Sequence, residues 1–395
     1  MTVAGELSEV VILSAVRTPI GSFRSQLSQL TATQLGSLAV KAAVEKAGLK
    51  CDQIEELYMG NVLQAGLKQA PSRQAALGAG LPVSTPTATI NKVCASGLKS
   101  VMLAAQSLAC GDRSIMVAGG MESMSNVPFY LSRGEVPYGG AALKDGIVFD
   151  GLQDAFDGIH MGLCAEKTAQ DFKISRQEQD QYAAESYKRA AKAWSEGKFK
   201  NEIIAVPIKP KKGPELLIAE DEEYKKVDFS KFSTLKTVFK PEGGTITAAN
   251  ASSLNDGACA LVLATSRKAR DLNLKPLARI LASTDAAVQP VDFAIAPASA
   301  IPKVLEKCQL KIEDIDLWEI NEAFSVVVLA NMKLLGLDHS KVNVHGGAVS
   351  LGHPIGMSGA RLTTHLVHAL TPGQKGLVAI CNGGGGSGAL VLERL

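Results

Sequence analysis

The strongest constraint on the fold of this chain is an internal repeat with constant spacing. Residues 96–118 and 358–380 each contain a Ser-Gly dipeptide, a helical run, a glycine and a short apolar strand. Equivalent positions, such as Gly111 and Gly373, lie 262 residues apart. Each half also begins with an apolar strand, at 10–14 and 278–282. The repeat predicts two similar halves related by a pseudo-twofold axis.

The strands of both halves are short, continuous apolar runs that alternate with amphipathic helices. This pattern is typical of α/β proteins with parallel sheets covered on both faces. In such sheets, reactive groups lie beyond the carboxyl ends of the strands. Residues from about 121 to 245 differ, since they hold Met-rich and Pro/Gly-rich turns, one helix-like run at 176–196 and a basic stretch at 209–240. We expect an insertion in the first half that folds over the site.

Composition narrows the classes of function. A net charge of +2 gives no basic field for nucleic acid, and no apolar run is long enough to cross a membrane. The seven cysteines lack framework spacing and form no CxxC pair, which indicates a reducing compartment and argues against zinc. Residues 1–9 resemble neither a secretory signal nor an Arg-rich transit peptide. We therefore expect a cytoplasmic protein or a mature organellar form whose transit peptide is absent.

Three separated segments each place a reactive side chain beside glycine. Cys94 precedes Ala-Ser-Gly and the start of a helix, where free N–H groups and the helix dipole favour a thiolate. His353 lies in a Gly-His-Pro-Ile-Gly turn and could accept the proton of a thiol. Cys381 ends a strand before four glycines, whose amides could form an oxyanion hole. Two thiols and an imidazole together indicate acyl transfer through a thioester.

Two further features admit more than one interpretation. Asn321 follows an apolar strand, where its amide could hold a water or a carbonyl oxygen, or could simply cap a helix. The basic stretch could bind the phosphates of a nucleotide-tailed cofactor, although charge alone favours a solvated loop. A glycine fingerprint at 383–388 does not indicate NAD, because only seven residues follow it, too few for a βαβ unit.

With these motifs assembled, the sequence resembles the thiolase family over essentially its whole length. The motifs are Asn-Lys-Val-Cys-Ala-Ser-Gly at 91–97, Gly-Gly-Met-Glu-Ser-Met-Ser at 119–125, Asn-Glu-Ala-Phe at 321–324, Gly-His-Pro-Ile-Gly at 352–356 and Cys-Asn-Gly-Gly-Gly-Gly at 381–386. The resemblance is greatest to the biosynthetic and ketone-body branch, and within it to the mitochondrial, potassium-responsive members. It implies the thiolase fold, in which two duplicated βαβαβαββ-type halves form a layered αβαβα core with an inserted loop domain.

The resemblance implies a reversible condensation of two acetyl-CoA molecules to acetoacetyl-CoA and CoA. Cys94 would become acetylated with His353 as its base, and Cys381 would move the proton of the second acetyl group. Asn321 and His353 would stabilise one oxyanion. The backbone amides of Cys94 and Gly383 would stabilise the other.

The resemblance also implies sites for coenzyme A and potassium. The CoA positions are Tyr187, Lys226, Val227, Asp228, Lys231 and Ser252, with His160 and Met161 lining the pantetheine tunnel. The potassium positions are Tyr187, the carbonyls of Ala248, Ala249 and Ala251, and Val349. Carbonyl oxygens suit a hard monovalent cation.

The resemblance further implies a domain division and an assembly. Residues 1–120 with about 246–270 would form the first half, 121–245 the CoA-binding loop domain, and 271–395 the second half. The protein would be a homotetramer, a dimer of dimers, in the mitochondrial matrix as a mature form. Phe293 precedes Ala294 where Phe-Pro is expected in the branch that cleaves 2-methylacetoacetyl-CoA, so that activity is left open.

Three rival interpretations remain to be compared with this one. A degradative 3-ketoacyl-CoA thiolase would share the catalytic residues and differ in the width of its tunnel. A non-catalytic lipid carrier of the same fold would be expected to lack one of the three reactive residues, which are all present. Condensing ketosynthases lack the second reactive cysteine.

Overall fold

The computed structural model describes residues 7–134, 136–210 and 212–395. Residues 1–6 of the predicted first half and of the N-terminal segment lie outside the described residues. The strands are β1 Val10–Arg17, β2 Gly21–Ser22, β3 Glu56–Gly60, β4 Thr87–Ile90, β5 Ile115–Ser123, β6 Phe129–Tyr130, β7 Lys144–Asp145, β8 Val206–Ile208, β9 Leu216–Ile218, β10 Asn255–Thr265, β11 Ala278–Ala287, β12 Leu317–Ile320, β13 Lys375–Asn382 and β14 Gly386–Arg394. The α-helices are α1 Ala32–Lys46, α2 Pro71–Gly78, α3 Ser96–Ala109, α4 Met161–Asp171, α5 Arg176–Ser195, α6 Ser266–Asp271, α7 Ala296–Lys307, α8 Ser325–Leu335, α9 Ala348–Leu351 and α10 Ser358–Ala369.

The internal repeat is visible in the strand order. Strands β3, β5, β10 and β1 are neighbours in the first half, and β12, β13, β14 and β11 are neighbours in the same order in the second. The two sets meet where β1 pairs with β11, with Val11 opposite Arg279. Helices α3 and α10 occupy equivalent positions, because Ser96 and Ser358 begin them.

The prediction of parallel sheets is wrong for most strand pairs. Strands joined through a helix are parallel, namely β3 with β4, β3 with β5, and β12 with β13. The pairs β5–β10, β10–β1, β1–β11, β11–β14 and β14–β13 are antiparallel. Continuous apolar runs report burial on both faces but contain no information about strand direction, which explains the error.

Helices cover the sheet in layers. Helices α1 and α2 pack with one face of the first half in a single apolar cluster. Helices α3 and α10 pack together and against strands of both halves. Helix α7 covers the second half from its other side. The central helices are therefore enclosed between sheet strands, and they bring both halves to one place.

The insertion is joined to the sheet by a buried cluster of charges. The Arg17 guanidinium on β1 donates to Glu202 at 2.6 Å and to Asp221 at 2.7 and 2.9 Å, and all three side chains are fully buried. Burial alone would raise the pKa of the Glu202 carboxyl. The positive charge of Arg17 outweighs this effect and lowers that pKa well below its ordinary value. Glu202 also contacts the buried ring of His365 on α10 at 2.9 Å. The cluster thus links a strand, the insertion and a central helix.

We expect Arg17→Ala to lower the free energy of unfolding by about 3–5 kcal/mol, because it leaves two carboxylates buried without their cation. The matched control is Arg279→Ala on β11, whose ion pairs with Glu9 and Glu393 are partly exposed. Exposed pairs contribute about 0–1 kcal/mol. Urea unfolding followed by circular dichroism measures both variants. Equal losses in the two would contradict the importance assigned to the buried cluster.

Candidate active site

The first reactive residue, Cys94, lies on a tight loop between β4 and α3. Val93 has a φ of 46°, a left-handed conformation that is rare for a β-branched residue. The Ser96 hydroxyl accepts a hydrogen bond from the Lys92 amide at 2.8 Å and donates to the Val93 carbonyl. These bonds hold the strained loop, and strain of this kind is concentrated at functional sites.

The lowering of the Cys94 pKa that was expected from the helix terminus is outweighed by burial. Burial raises the pKa of the Cys94 thiol to about 11. Two backbone N–H groups, those of Gly383 and of Cys94 itself, oppose this rise. The argument from the helix terminus took no account of burial, which disfavours the charged form. Cys94 therefore rests as a neutral thiol and needs a base to become a nucleophile.

A candidate base, His353 in the Gly-His-Pro-Ile-Gly turn, lines the same cavity as Cys94. The Ser358 hydroxyl donates to the Pro354 carbonyl at 2.9 Å and lies 2.6 Å from Nδ1 of His353. With its only hydrogen used, that hydroxyl accepts from Nδ1–H, so Nε2 of the ring carries no hydrogen and is an acceptor. Burial lowers the pKa of His353 to about 4, so the ring is neutral at pH 7.

Asn321 contacts the imidazole, and Cys381 is a neighbour of Cys94. Asn321 lies at the carboxyl end of β12, and its Nδ2 lies 3.4 Å from Nε2 of His353. Cys381 lies on β13 and is 1% exposed. Burial and the neighbouring Cys94 both raise the pKa of Cys381, so it also rests as a thiol. The alternative role of Asn321 as a helix cap is not observed, since α8 begins four residues later.

A cavity of about 330 Å³ is lined by Cys94 and His353, whereas Asn321 and Cys381 are not among its lining residues. Seven of the site residues predicted from the sequence line it, namely Cys94, His353, Gly383, His160, Met161, Ala251 and Ser252. The remaining walls are largely apolar and include Phe239, Phe293 and Phe324. A largely apolar cavity with a few polar groups in its lining suits a flexible chain that carries a reactive carbonyl.

His160 presents a fixed donor to this cavity. Its Nδ1 accepts a hydrogen bond from the Gly162 amide at 3.0 Å, so the neutral ring carries its proton on Nε2. Burial lowers the pKa of His160, which keeps the ring neutral at pH 7. The ring stacks on Phe239, with centroids 4.6 Å apart. His160 can therefore donate to a carbonyl oxygen but carries no charge.

The other predicted binding residues lie around a second cavity of about 300 Å³. Its lining includes Tyr187, Lys226, Val227, Asp228, Lys231, Ala248 and Ala249. Val349 packs with Ala249 and Tyr187 in a small apolar cluster beside it. Ala251 instead lines the first cavity, next to Ser252. The structure thus divides the predicted binding positions between two neighbouring places.

Several residues around the site were not identified from the sequence. Asn255 accepts a hydrogen bond from the His353 amide at 2.8 Å, and Ser358 orients the ring. Phe239 and Phe324 shape the cavity. Ser358 could have been found, because it lies only five residues beyond His353, at the start of α10. Asn255 and Phe239 are distant in sequence and gave no signal.

Comparison with known proteins places this arrangement in a family. The model of the thiolase N-terminal domain matches residues 10–267, and that of the thiolase C-terminal domain matches residues 274–394. The chain therefore belongs to the thiolase family and has the thiolase fold. A crystal structure of the Acat5 thiolase from Ascaris suum in complex with coenzyme A superposes with a TM-score of 0.95 and 49% identity, over 98% of this chain and 100% of that one.

Proteins of one particular activity are among the most similar relatives. The chain is 64% identical to the mitochondrial acetyl-CoA acetyltransferase A of Xenopus laevis, over 98% of this chain and 93% of the relative. It is 61% identical to the mitochondrial acetyl-CoA acetyltransferase of Homo sapiens, over 98% of this chain and 91% of that protein.

Across the described parts of the chain, no helix is long and apolar enough to cross a membrane.

Proposed function

We propose that this protein is an acetyl-CoA acetyltransferase that interconverts two acetyl-CoA molecules with acetoacetyl-CoA and CoA. The observation that carries the proposal is the convergence of Cys94, His353 and the Gly383 amide at the end of one apolar cavity. The similarity to relatives that are named for this reaction supports it.

The first half of the reaction forms an acetyl-enzyme. Nε2 of His353 takes the proton of the Cys94 thiol, and the sulfur attacks the thioester carbon of acetyl-CoA. The backbone amides of Cys94 and Gly383 donate to the oxyanion of the tetrahedral intermediate. That intermediate collapses, the bond to the CoA sulfur breaks, and the leaving thiolate takes the proton of Cys381.

The second half forms the carbon–carbon bond. Cys381, now a thiolate, removes a proton from the methyl group of a second acetyl-CoA. Asn321 and His353 stabilise the enolate oxygen, and the enolate carbon attacks the acetyl group on Cys94. The bond from carbon to Cys94 sulfur breaks, and the protonated His353 returns a proton to that sulfur. Cys381 keeps the methyl proton and the enzyme is regenerated.

We further propose that the second cavity holds the nucleotide end of CoA and a potassium ion. Lys226 and Lys231 provide positive charge, although each is already paired, with Glu222 at 3.4 Å and Asp228 at 3.0 Å. Tyr187 and the carbonyls of Ala248 and Ala249 would supply oxygen ligands at this cavity, and the carbonyls of Ala251 and Val349 would have to reach the ion from outside its lining. Bound there, the ion would order the 248–252 segment that carries Ser252.

The assembly, compartment and domain division are part of the same proposal. Residues 121–245 would form the loop domain over the CoA site, and the chain would be a homotetramer of the mitochondrial matrix. Exposed apolar side chains at Phe129, Leu131, Tyr138 and Phe156 support burial of this region against another subunit. The relatives named mitochondrial support the compartment.

The 293–294 loop bears on whether the protein accepts 2-methyl-branched substrates. Phe293 lines the cavity, while Ala294 is buried and its carbonyl accepts a hydrogen bond from Nδ2 of Asn331 at 2.8 Å. This hydrogen bond holds the loop at residue 294, the position where a proline would restrict the backbone. We therefore include 2-methylacetoacetyl-CoA among the proposed substrates.

The proposal predicts rapid loss of the enolate absorbance of acetoacetyl-CoA when CoA is added, and faster loss in potassium than in sodium. Each assay contains one monovalent cation at the same ionic strength. Loss that is indifferent to the cation would retain the activity and remove the ion site. Loss only with longer 3-ketoacyl-CoAs would favour the degradative activity, and no loss with any of them would favour a lipid carrier.

A further inference from the structure

Two buried carboxylates bind the segment that carries His353. Neither of them is one of the proposed catalytic groups. The first is Glu122, near the end of β5, which is fully buried. It accepts hydrogen bonds from the Gly356 amide at 3.0 Å, from the amides of residues 62 and 63 at 3.0 and 3.2 Å, and from Nδ2 of Asn61 at 2.8 Å. Glu122 thus ties the turn of the second half to a loop of the first.

The second carboxylate, Glu322, binds the other end of the same segment. It is fully buried and accepts from the Val349 amide at 3.0 Å. The hydroxyls of Tyr182 and Ser186 on α5 donate to it at 2.8 Å each, and Nδ2 of Asn343 donates at 3.0 Å. Glu322 also follows Asn321 directly, so one residue links the insertion, the Asn321 loop and the His353 segment.

Between these two anchors the chain has little freedom. The bound amides of Val349 and Gly356 lie on either side of His353, whose own amide is held by Asn255. The turn also packs closely on the first half, since a methyl group added to Gly120 would lie 2.1 Å from the Gly356 carbonyl oxygen. The position of the imidazole is therefore set by polar contacts at both ends and by close packing between the halves.

We propose that Glu122 and Glu322 are positioning residues that hold the His353 imidazole in reach of the Cys94 thiol. This inference rests on the proposed function. Neither carboxylate contacts the reacting atoms, and both act through the backbone of residues 349–356.

The negative charge of each carboxylate is needed for this role. Each accepts four hydrogen bonds, so a glutamine would turn its NH2 group toward at least one N–H or O–H donor. A purely electrostatic role for Glu122 predicts the opposite effect. Burial raises the pKa of Cys94, and the charge of Glu122 adds to that rise, so removing the charge alone would favour the thiolate.

The proposal gives the reaction a distinctive pH dependence. Burial raises the pKa of Glu122 to about 7, against the opposing hydrogen bonds of three backbone amides. The titratable groups that face it are the Cys94 thiol and the Asp256 carboxylate on β10. As the pH falls through about 7, Glu122 takes up a proton and loses an acceptor, so the acylation rate falls. His353, with a pKa of about 4, does not account for that loss.

The experiment measures acetylation of Cys94 in a single turnover with labelled acetyl-CoA and rapid quenching. The variants are Glu122→Gln and Glu322→Gln, each also made in a His353→Ala background. The control is Glu55→Gln, which removes a carboxylate that accepts the Ser114 amide at the opposite end of the same sheet. Thermal unfolding of each variant is measured first. If a glutamine variant does not fold, Tyr182→Phe removes one donor to Glu322 and leaves the carboxylate in place.

We expect both glutamine variants to acetylate about 10–100-fold more slowly, since small misplacements of a catalytic group have effects of this size. The KM for acetyl-CoA and the rate of the control stay within about threefold. In the His353→Ala background the same substitutions change the residual rate by less than about threefold, because there is no imidazole to misplace. In Glu122→Gln the decline near pH 7 disappears.

Two results would overturn the inference while the proposed function stands. One is acetylation of the folded glutamine variants at the rate of the unaltered protein. The other is an equal loss with and without His353, which would indicate a general structural defect. Failure of the unaltered protein to become acetylated would remove the proposed function and the inference with it.

Discussion

Replacing Cys94 by alanine abolishes attachment of an acetyl group to the protein and lowers the thiolysis rate by at least about 10⁴-fold. Without the sulfur, no covalent intermediate can form, and only the binding and oxyanion contributions of the site remain. Intact-protein mass spectrometry after incubation with acetyl-CoA measures the attachment directly. The cavity persists, because the side chain that is removed is small.

The matched control for this variant is Cys110→Ala. Cys110 is an exposed thiol at the far end of α3, the helix whose first turn follows Cys94. We expect this variant to become acetylated and to turn over at the normal rate. An acetyl group still bound to the Cys94→Ala protein would mean that another residue is the nucleophile.

Replacing Cys381 by alanine leaves acetylation of Cys94 intact but slows condensation by about 10²–10⁴-fold, the usual contribution of a positioned acid or base. The departing CoA thiolate can take a proton from water, whereas the methyl group of acetyl-CoA has no other base beside it. The variant therefore accumulates acetyl-enzyme. It also fails to exchange the methyl hydrogens of acetyl-CoA with deuterium from solvent, which NMR measures.

The control for the second variant is Cys164→Ala on α4. Cys164 and Cys381 are both buried thiols in one apolar cluster, so the two substitutions remove the same group from similar surroundings. We expect Cys164→Ala to retain both half-reactions. Methyl exchange at the normal rate in Cys381→Ala would assign the base to a different residue.

Much of the architecture could be predicted, because similar segments recur in the sequence at a constant spacing. The helical run expected within residues 96–118 spans Ser96–Ala109, and the insertion helix expected over 176–196 spans Arg176–Ser195. Strand direction could not be predicted, because it depends on how the chain returns after the insertion. Strand β10 pairs antiparallel with both β1 and β5. No local sequence pattern indicates this strand direction.

The candidate site was accessible to sequence analysis where a reactive residue is flanked by glycine. Cys94, His353 and Gly383 meet at one cavity, as their motifs indicated. Their assigned roles remain predictions. Glu122 was missed because its Met-rich surroundings were interpreted as a turn, whereas β5 continues to Ser123 and buries the carboxylate. The charge state of Cys94 was missed for a related reason, since burial depends on distant parts of the chain.

The duplicated halves have also become unequal in what they carry. The first half holds the proposed nucleophile, Cys94, and the second holds His353, Asn321 and Cys381. The position equivalent to Cys94 in the second half is Gly356, where a glycine is needed because a methyl group there would lie 2.6 Å from the Met121 carbonyl oxygen. Neither copy carries the proposed nucleophile together with the proposed base. The site therefore exists only where the two halves meet, and neither half alone could carry out the proposed reaction.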